Sequence, residues 1–201
     1  GYAVIAPDGT MRASGSGRSW AFHPDREAPR DDVAFLSAVA DDAATRFGLD
    51  RDRMILAGFS VGGSMVTYAA CRDPHAFAAY APVSGSFWRP HPAGCAGPIR
   101  LFHIHGWTDG TVPLEGRRIG GAGIRQGDVF QAMEILRGTN GCTRSNPDGF
   151  DDIGETQVRR WDASCAPGSS LALALHPGGH TIPPGWAAMA LDWYEGLAAA
   201  L

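Results

Sequence analysis

One pentapeptide limits what this chain can fold into more than any other feature: Gly58-Phe59-Ser60-Val61-Gly62. It follows the apolar run Arg53-Met54-Ile55-Leu56-Ala57, which reads as a buried strand, and precedes Ser64 to Cys71, which reads as a helix. A serine between glycines at such a junction marks a strained strand-to-helix turn, because a side chain at either flanking position would meet neighbouring backbone. The turn lifts the Ser60 hydroxyl above the sheet edge at a helix N-terminus. There the helix dipole and the Val61 N–H can stabilise an oxyanion. Ser60 is the candidate nucleophile and Val61 the candidate oxyanion donor; the plainer alternative is a tight turn carrying a surface serine.

The rest of the chain alternates between strand and helix signals. Tyr2 to Ala6 is a β-rich run closed by Pro7-Asp8-Gly9, and residues 8 to 30, rich in Gly, Ser, Pro and Arg, read as a long loop. Asp31 caps a predicted helix reaching Phe47, with Val33, Leu36, Val39 and Ala43 at helical spacing and Gly48 ending it. Further strands are expected at 78–83, 99–105 and 170–176, with helices at 129–137 and 186–199. Residues 138–168 read as an irregular excursion holding a short strand at 156–161. Such alternation implies an α/β fold: a mostly parallel sheet covered by helices on both faces. No repeat or linker divides the 201 residues, so one domain spanning 1–201 is expected.

A serine hydroxyl is a poor nucleophile unless a base takes its proton. His180 fits that role, in Pro177-Gly178-Gly179-His180-Thr181 just beyond the last strand. Asp109 fits the acid that would orient the imidazole, in His105-Gly106-Trp107-Thr108-Asp109-Gly110 after the preceding strand. His103 and His105 alternate along one strand, lack a third ligand for a metal, and read as structural, as does His176 at a strand end. His23, His75 and His91 read as surface residues, Asp128 as a helix cap, and Asp31 and Asp32 as capping and charging the first helix. Among six tryptophans, Trp20, Trp88 and Trp107 sit in candidate site loops and could bind substrate, whereas Trp161, Trp186 and Trp193 read as packing residues.

Composition excludes several other chemistries. The net charge is −4, with no basic stripe or acidic tail, which argues against nucleic acid and anionic membrane surfaces as partners. All 17 basic residues are Arg, so a Schiff-base lysine, a P-loop lysine and a Ser–Lys dyad are excluded. Cys71, Cys95, Cys142 and Cys165 show neither zinc-ribbon nor CxxC spacing. They fit two disulfides and an oxidising compartment, or else four buried thiols. Three pairings are open; Cys71–Cys95 with Cys142–Cys165 is preferred because each closes a short loop.

Several stretches together resemble the polyhydroxybutyrate depolymerase and feruloyl esterase-like family of α/β-hydrolases. They are Tyr2-Ala3-Val4-Ile5-Ala6-Pro7-Asp8-Gly9, Gly17-Arg18-Ser19-Trp20, Asp31-Asp32-Val33-Ala34-Phe35-Leu36, Gly58-Phe59-Ser60-Val61-Gly62-Gly63, His103-Ile104-His105-Gly106 leading to Asp109, Asn140-Gly141-Cys142, and Gly178-Gly179-His180-Thr181. The resemblance implies an α/β-hydrolase fold, a Ser60–Asp109–His180 triad, the preferred disulfides, and ester hydrolysis through an acyl-enzyme without cofactor or metal. It implies a secreted or periplasmic protein acting on soluble hydroxyalkanoate oligomers or on feruloyl and acetyl sugar esters. In this family an earlier strand and a His-Gly loop supply the second oxyanion amide; these N-terminal strands are expected to lie outside the 201 residues, and Gly1 to Pro7 reads as a strand entering a turn rather than as a signal peptide. The rival expectations are a serine peptidase and a non-catalytic binding protein of the same fold.

Overall fold

The computed structural model describes residues 1–23, 26–120 and 123–199. Asp31 accepts a hydrogen bond from the Ala34 N–H and so starts α1, Asp32–Phe47, which Gly48 closes at φ 63°. This left-handed position favours glycine. Val33, Leu36, Ala40 and Ala43 form the buried face of α1. A 3₁₀ turn, Arg51–Arg53, leads into β3, Ile55–Phe59, and Ser60 separates β3 from α2, Val61–Arg72. The remaining main elements are β4 (Ala79–Val83), β5 (Arg100–Gly106), α3 (Val129–Thr139), β8 (Gly149–Ile153), β9 (Thr156–Trp161), β10 (Ser170–His176) and α4 (Trp186–Ala199). Two small ladders complete the list: β1 (Thr10–Met11) with β2 (Arg18–Ser19), and β6 (Arg118–Ile119) with β7 (Ile124–Arg125).

The six-stranded sheet has the order β3-β4-β5-β10-β9-β8. β3, β4, β5 and β10 are parallel, while β9 and β8 extend the sheet antiparallel. β4 and β10 are buried along their whole length, as expected for strands covered on both faces. One face packs on α1, α2 and α3 through Leu36, Met65, Val66, Met133 and Leu136. The other packs on α4 through Phe102, Ile104, Ala172, Met189 and Ala190. Trp161 joins the first core and Trp186 and Trp193 the second, as their reading as packing residues implied.

Four local expectations are corrected. Tyr2 to Ala6 has strand composition but pairs with no strand among the described residues, and it is exposed, so water can satisfy its backbone. The 8–30 loop contains the β1–β2 ladder. The strand before Ser60 runs to Phe59, and α2 begins at Val61 rather than Ser64, so Ser60 alone makes the turn. The 138–168 excursion holds a second strand, β8, whose Gly, Asp and Asp are poor strand formers. It forms by pairing with β9 across a turn in which Gly154 takes φ 60°.

Both preferred disulfides are formed, Cys71–Cys95 and Cys142–Cys165. The second ties the exit of α3 to the approach of β10. Beside it the buried Asn140 side chain accepts from the Ile99 N–H and donates to the Ile99 carbonyl, acting as a short piece of ladder. Cys142→Ala/Cys165→Ala opens a loop of sequence separation 23. Chain entropy sets the expected loss at about 3 kcal/mol, read as a lower urea midpoint with the fold retained. An unchanged midpoint would show that this bridge constrains nothing.

Candidate active site

Ser60 lies between β3 and α2 at φ 58°, ψ −117°, a conformation that L residues other than glycine rarely adopt. The surrounding backbone over-determines it. The Ser60 N–H donates to the Val83 carbonyl at the end of β4, and its own carbonyl accepts from Ser64. Space beneath the turn is scarce. A Cβ on Gly58 would stand 2.5 Å from the Gly62 oxygen, one on Gly63 2.6 Å from the Val83 oxygen, and one on Gly85 2.1 Å from the Ser60 oxygen. At Gly62 the nearest atom would be the Trp20 indole nitrogen at 4.0 Å. The glycine constraint therefore lies at 58, 63 and 85, and Gly62 is not crowded by backbone as the pentapeptide pattern suggests.

Ser60, His180 and Asp109 meet at the C-terminal ends of β3, β5 and β10. The β5–β10 register pairs His176 with Gly106, and the Trp107 N–H continues it by donating to the His176 carbonyl. This brings the loops after the two strands together, close enough that a Cβ on Gly106 would stand 2.3 Å from the carbonyl oxygens of both Gly178 and Gly179. His180 Nδ1 is 2.8 Å from Asp109 Oδ2, and His180 Nε2 is 2.9 Å from Ser60 Oγ. With Asp109 ionised, Nδ1–H donates to the carboxylate and Nε2 can accept the serine proton. Asp109 Oδ1 accepts from the N–H groups of Thr111 and Val112. Burial pushes the Asp109 carboxyl up, but the Val112 N–H, the His180 ring and the Thr111 N–H outweigh it and hold the group below the usual carboxylate range. At the start of α2 the N–H groups of Val61 and its neighbours point out of the helix without intrahelical acceptors, as in any first turn. The arrangement can deprotonate Ser60, orient the imidazolium and receive an oxyanion.

The three candidate tryptophans have different surroundings. Trp20 lies against the first turn of α2, beside Gly62. Trp88 is half-buried: its indole N–H donates to Ser64 Oγ at 3.2 Å, and its ring packs against Phe22. Trp107 is 47% exposed, next to the acid turn. Among the other histidines, His91 is half-buried rather than superficial and accepts from the N–H of Asp128, which caps α3 as expected. His103 and His105 are buried, consistent with a structural role, yet His105 Nε2 stands 3.4 Å from Asp109 Oδ2. Gly85 is a further residue of the site that the pentapeptide pattern does not include. The signal available was Ser84-Gly85-Ser86 directly after a strand, where a small residue is needed against the neighbouring turn.

Residues 1–88 match the family model described as the prolyl oligopeptidase family. Over 163 residues the chain is 34% identical to feruloyl esterase C of Emericella nidulans, covering 77% of this chain and 52% of that protein. It is 25% identical over 154 residues to feruloyl esterase D of Neurospora crassa, covering 75% of this chain and 47% of that protein. The structure of acetyl xylan esterase from Aspergillus awamori superposes with a TM-score of 0.60 at 16% identity, covering 83% of this chain and 67% of that one. The superposition shows that this is an α/β-hydrolase fold. The chain spans about half the length of the curated relatives it matches.

The lowered Asp109 pKa has a signed consequence for stability. Its stabilising contribution is complete above the unfolded-state value of about 3.9 and is lost as pH falls through the lower folded-state value. The Asp109 carboxyl carbon is expected to titrate below an ordinary aspartate by NMR. The acid limb of the stability curve should be shallower in Asp109→Asn below about pH 4. Titration at or above the ordinary value would contradict the hydrogen-bonded arrangement.

Proposed function

We propose, starting from the chain's similarity to feruloyl esterases and its α/β-hydrolase fold, that it is a serine carboxylic-ester hydrolase working through an acyl-enzyme. The observation that carries this reading is the unbroken hydrogen-bonded series from Ser60 through His180 to Asp109. Ser60 Oγ attacks the ester carbonyl while His180 Nε2 takes its proton. Asp109 keeps the Nδ1–H tautomer and stabilises the imidazolium. The oxyanion develops against the Val61 N–H at the positive end of α2. His180 then returns the proton to the departing alcohol, the acyl group remains on Ser60, and water repeats the sequence to release the acid.

The substrates proposed are soluble: feruloyl and acetyl sugar esters, or hydroxyalkanoate oligomers. Trp20 beside the start of α2 and the exposed Trp107 beside the acid turn supply aromatic surface for such groups. Trp88 contributes from the second side of α2, with its indole N–H already engaged by Ser64. We place the protein in a secreted or periplasmic setting, where both disulfides would persist, and take residues 1–201 as one domain. No helix among the described residues is long and apolar enough to cross a membrane. A non-catalytic binding module offers no reason for the aligned serine, imidazole and carboxylate. A peptidase would use the same groups, and the prolyl oligopeptidase family match over residues 1–88 makes peptides a necessary control.

Ser60→Ala is expected to abolish hydrolysis of p-nitrophenyl acetate and butyrate with an unchanged circular dichroism spectrum, and a fluorophosphonate should label Ser60 alone. Near-normal turnover in that variant would refute the assignment. Asp109→Asn should keep the shape of the site but favour the wrong imidazole tautomer, costing about 10⁴ in kcat, the loss seen for the same change in the serine-protease triad. Methyl ferulate, acetylated xylan, hydroxybutyrate oligomers and a peptide panel separate the substrate classes.

A further inference from the structure

Behind the catalytic carboxylate lies a pair of histidines for which the proposed reaction has no step. His103 and His105 project from the same face of β5, two residues apart, with 2% and 0% of their surface exposed. Their rings are parallel to within 4°. His103 Nε2 is 3.0 Å from His105 Nδ1, and His105 Nε2 is 2.7 Å from the Val112 carbonyl. A carbonyl only accepts, so His105 carries a proton on Nε2. Burial pushes both imidazoles down, His103 furthest, and so favours their neutral forms. A neutral His105 then presents a lone pair at Nδ1, and His103 must donate to it. The donors run in one direction: His103 to His105, His105 to Val112, and the Val112 N–H to Asp109 Oδ1.

We infer that His105 is a positioning residue for the Asp109 carboxylate and that His103 supplies the donor its Nδ1 needs. His105 acts at two points. It clamps the carbonyl of Val112, whose own N–H holds Asp109 Oδ1, and so fixes the 109–112 turn. It also turns an N–H, rather than a lone pair, toward Asp109 Oδ2 at 3.4 Å, the oxygen that accepts from His180. With the other tautomer, a ring lone pair would face both the Val112 carbonyl and the carboxylate, and each contact would become repulsive. The ionisable groups acting on His105 are His103 on its own strand, Asp109 on the acid turn, and His176 and His180 from β10 and the loop beyond it. Only Asp109 among them favours a charged imidazole.

This inference rests on the esterase reading, so its test has readouts that do not depend on turnover. Imidazole ¹⁵N–¹H spectra of the wild-type protein should show both His103 and His105 as Nε2–H tautomers, unchanged between pH 5 and 9. A proton on Nδ1 of His105, or titration of His105 in that range, would overturn the inference. His105→Phe releases the turn. The contact of Asp109 Oδ2 with His180 then loosens, and the His180 Nδ1–H proton resonance should move upfield by NMR. In the same variant kcat should fall up to about 100-fold with KM little changed, as for a catalytic group displaced by a fraction of its contact distance. His105→Gln, whose amide nitrogen can reach the place of the ring Nε2, should restore most of both. His103→Met leaves the buried Nδ1 of His105 without a donor and should lower the urea midpoint, while the Val112 carbonyl keeps the proton on Nε2; His103→Gln should restore the midpoint. If His105→Phe does not fold, the wild-type tautomers and the His103 pair decide the question. Equal impairment of His105→Gln and His105→Phe with an unmoved His180 Nδ1–H resonance overturns the proposal. A wild-type protein that lacks ester hydrolysis but shows these tautomers, with the His180 Nδ1–H resonance moved in His105→Phe, would refute the esterase reading alone.

Discussion

The parallel pairing of β5 with β10 is the constraint on which the site depends. Seven consecutive residue pairs, from Arg100 with Ser170 to Gly106 with His176, set the level at which both strands end. The acid and the imidazole, separated by 71 residues, come within 2.8 Å because their loops leave the sheet at that common level. A slip of one residue would turn the side chains of β10 to the opposite face and move the His180 loop relative to Asp109. The sheet thus does for Asp109 and His180 what the tight turn does for Ser60: it places a side chain through rigid backbone.

The other end of the hydrogen-bonded series is held by exclusion. The Ser60 turn rests on the segment after β4, with Gly63 and Gly85 so close to backbone that any side chain would force the turn outward. The strain of a serine at positive φ is tolerated because the N–H of Ser60 is bound by Val83 and its carbonyl by Ser64. Packing supplies position here, and hydrogen bonds supply direction.

Much of this was legible in the chain itself. Asp31 and Gly48 mark the ends of α1, and the structure puts both in capping conformations. The order Ser60, Asp109, His180, each after a strand, anticipates the three groups that the fold brings into contact, and the cysteine spacing anticipates the two bridges. What was illegible depends on partners distant in sequence. Tyr2 to Ala6 has strand propensity but no neighbouring strand, whereas β8 has little propensity and a neighbour in β9. Crowding at Gly85 arises from a turn 25 positions earlier in the chain, and the only local hint is a glycine between two serines directly after a strand. His105 reads as structural because its relation to Asp109 depends on how the acid turn folds back over β5.

The Cys71–Cys95 bridge bears on how this molecule can come apart. α2 carries Ser60 at one end and Cys71 at the other, and the bridge joins it to the loop that feeds β5. At its first turn the helix is wedged against the segment after β4. Neither end is free to fray, so α2 has no low-energy local opening of its own. Its amide protons should exchange with solvent only when the sheet itself opens, making the helix behind Ser60 part of the slowest cooperative unit.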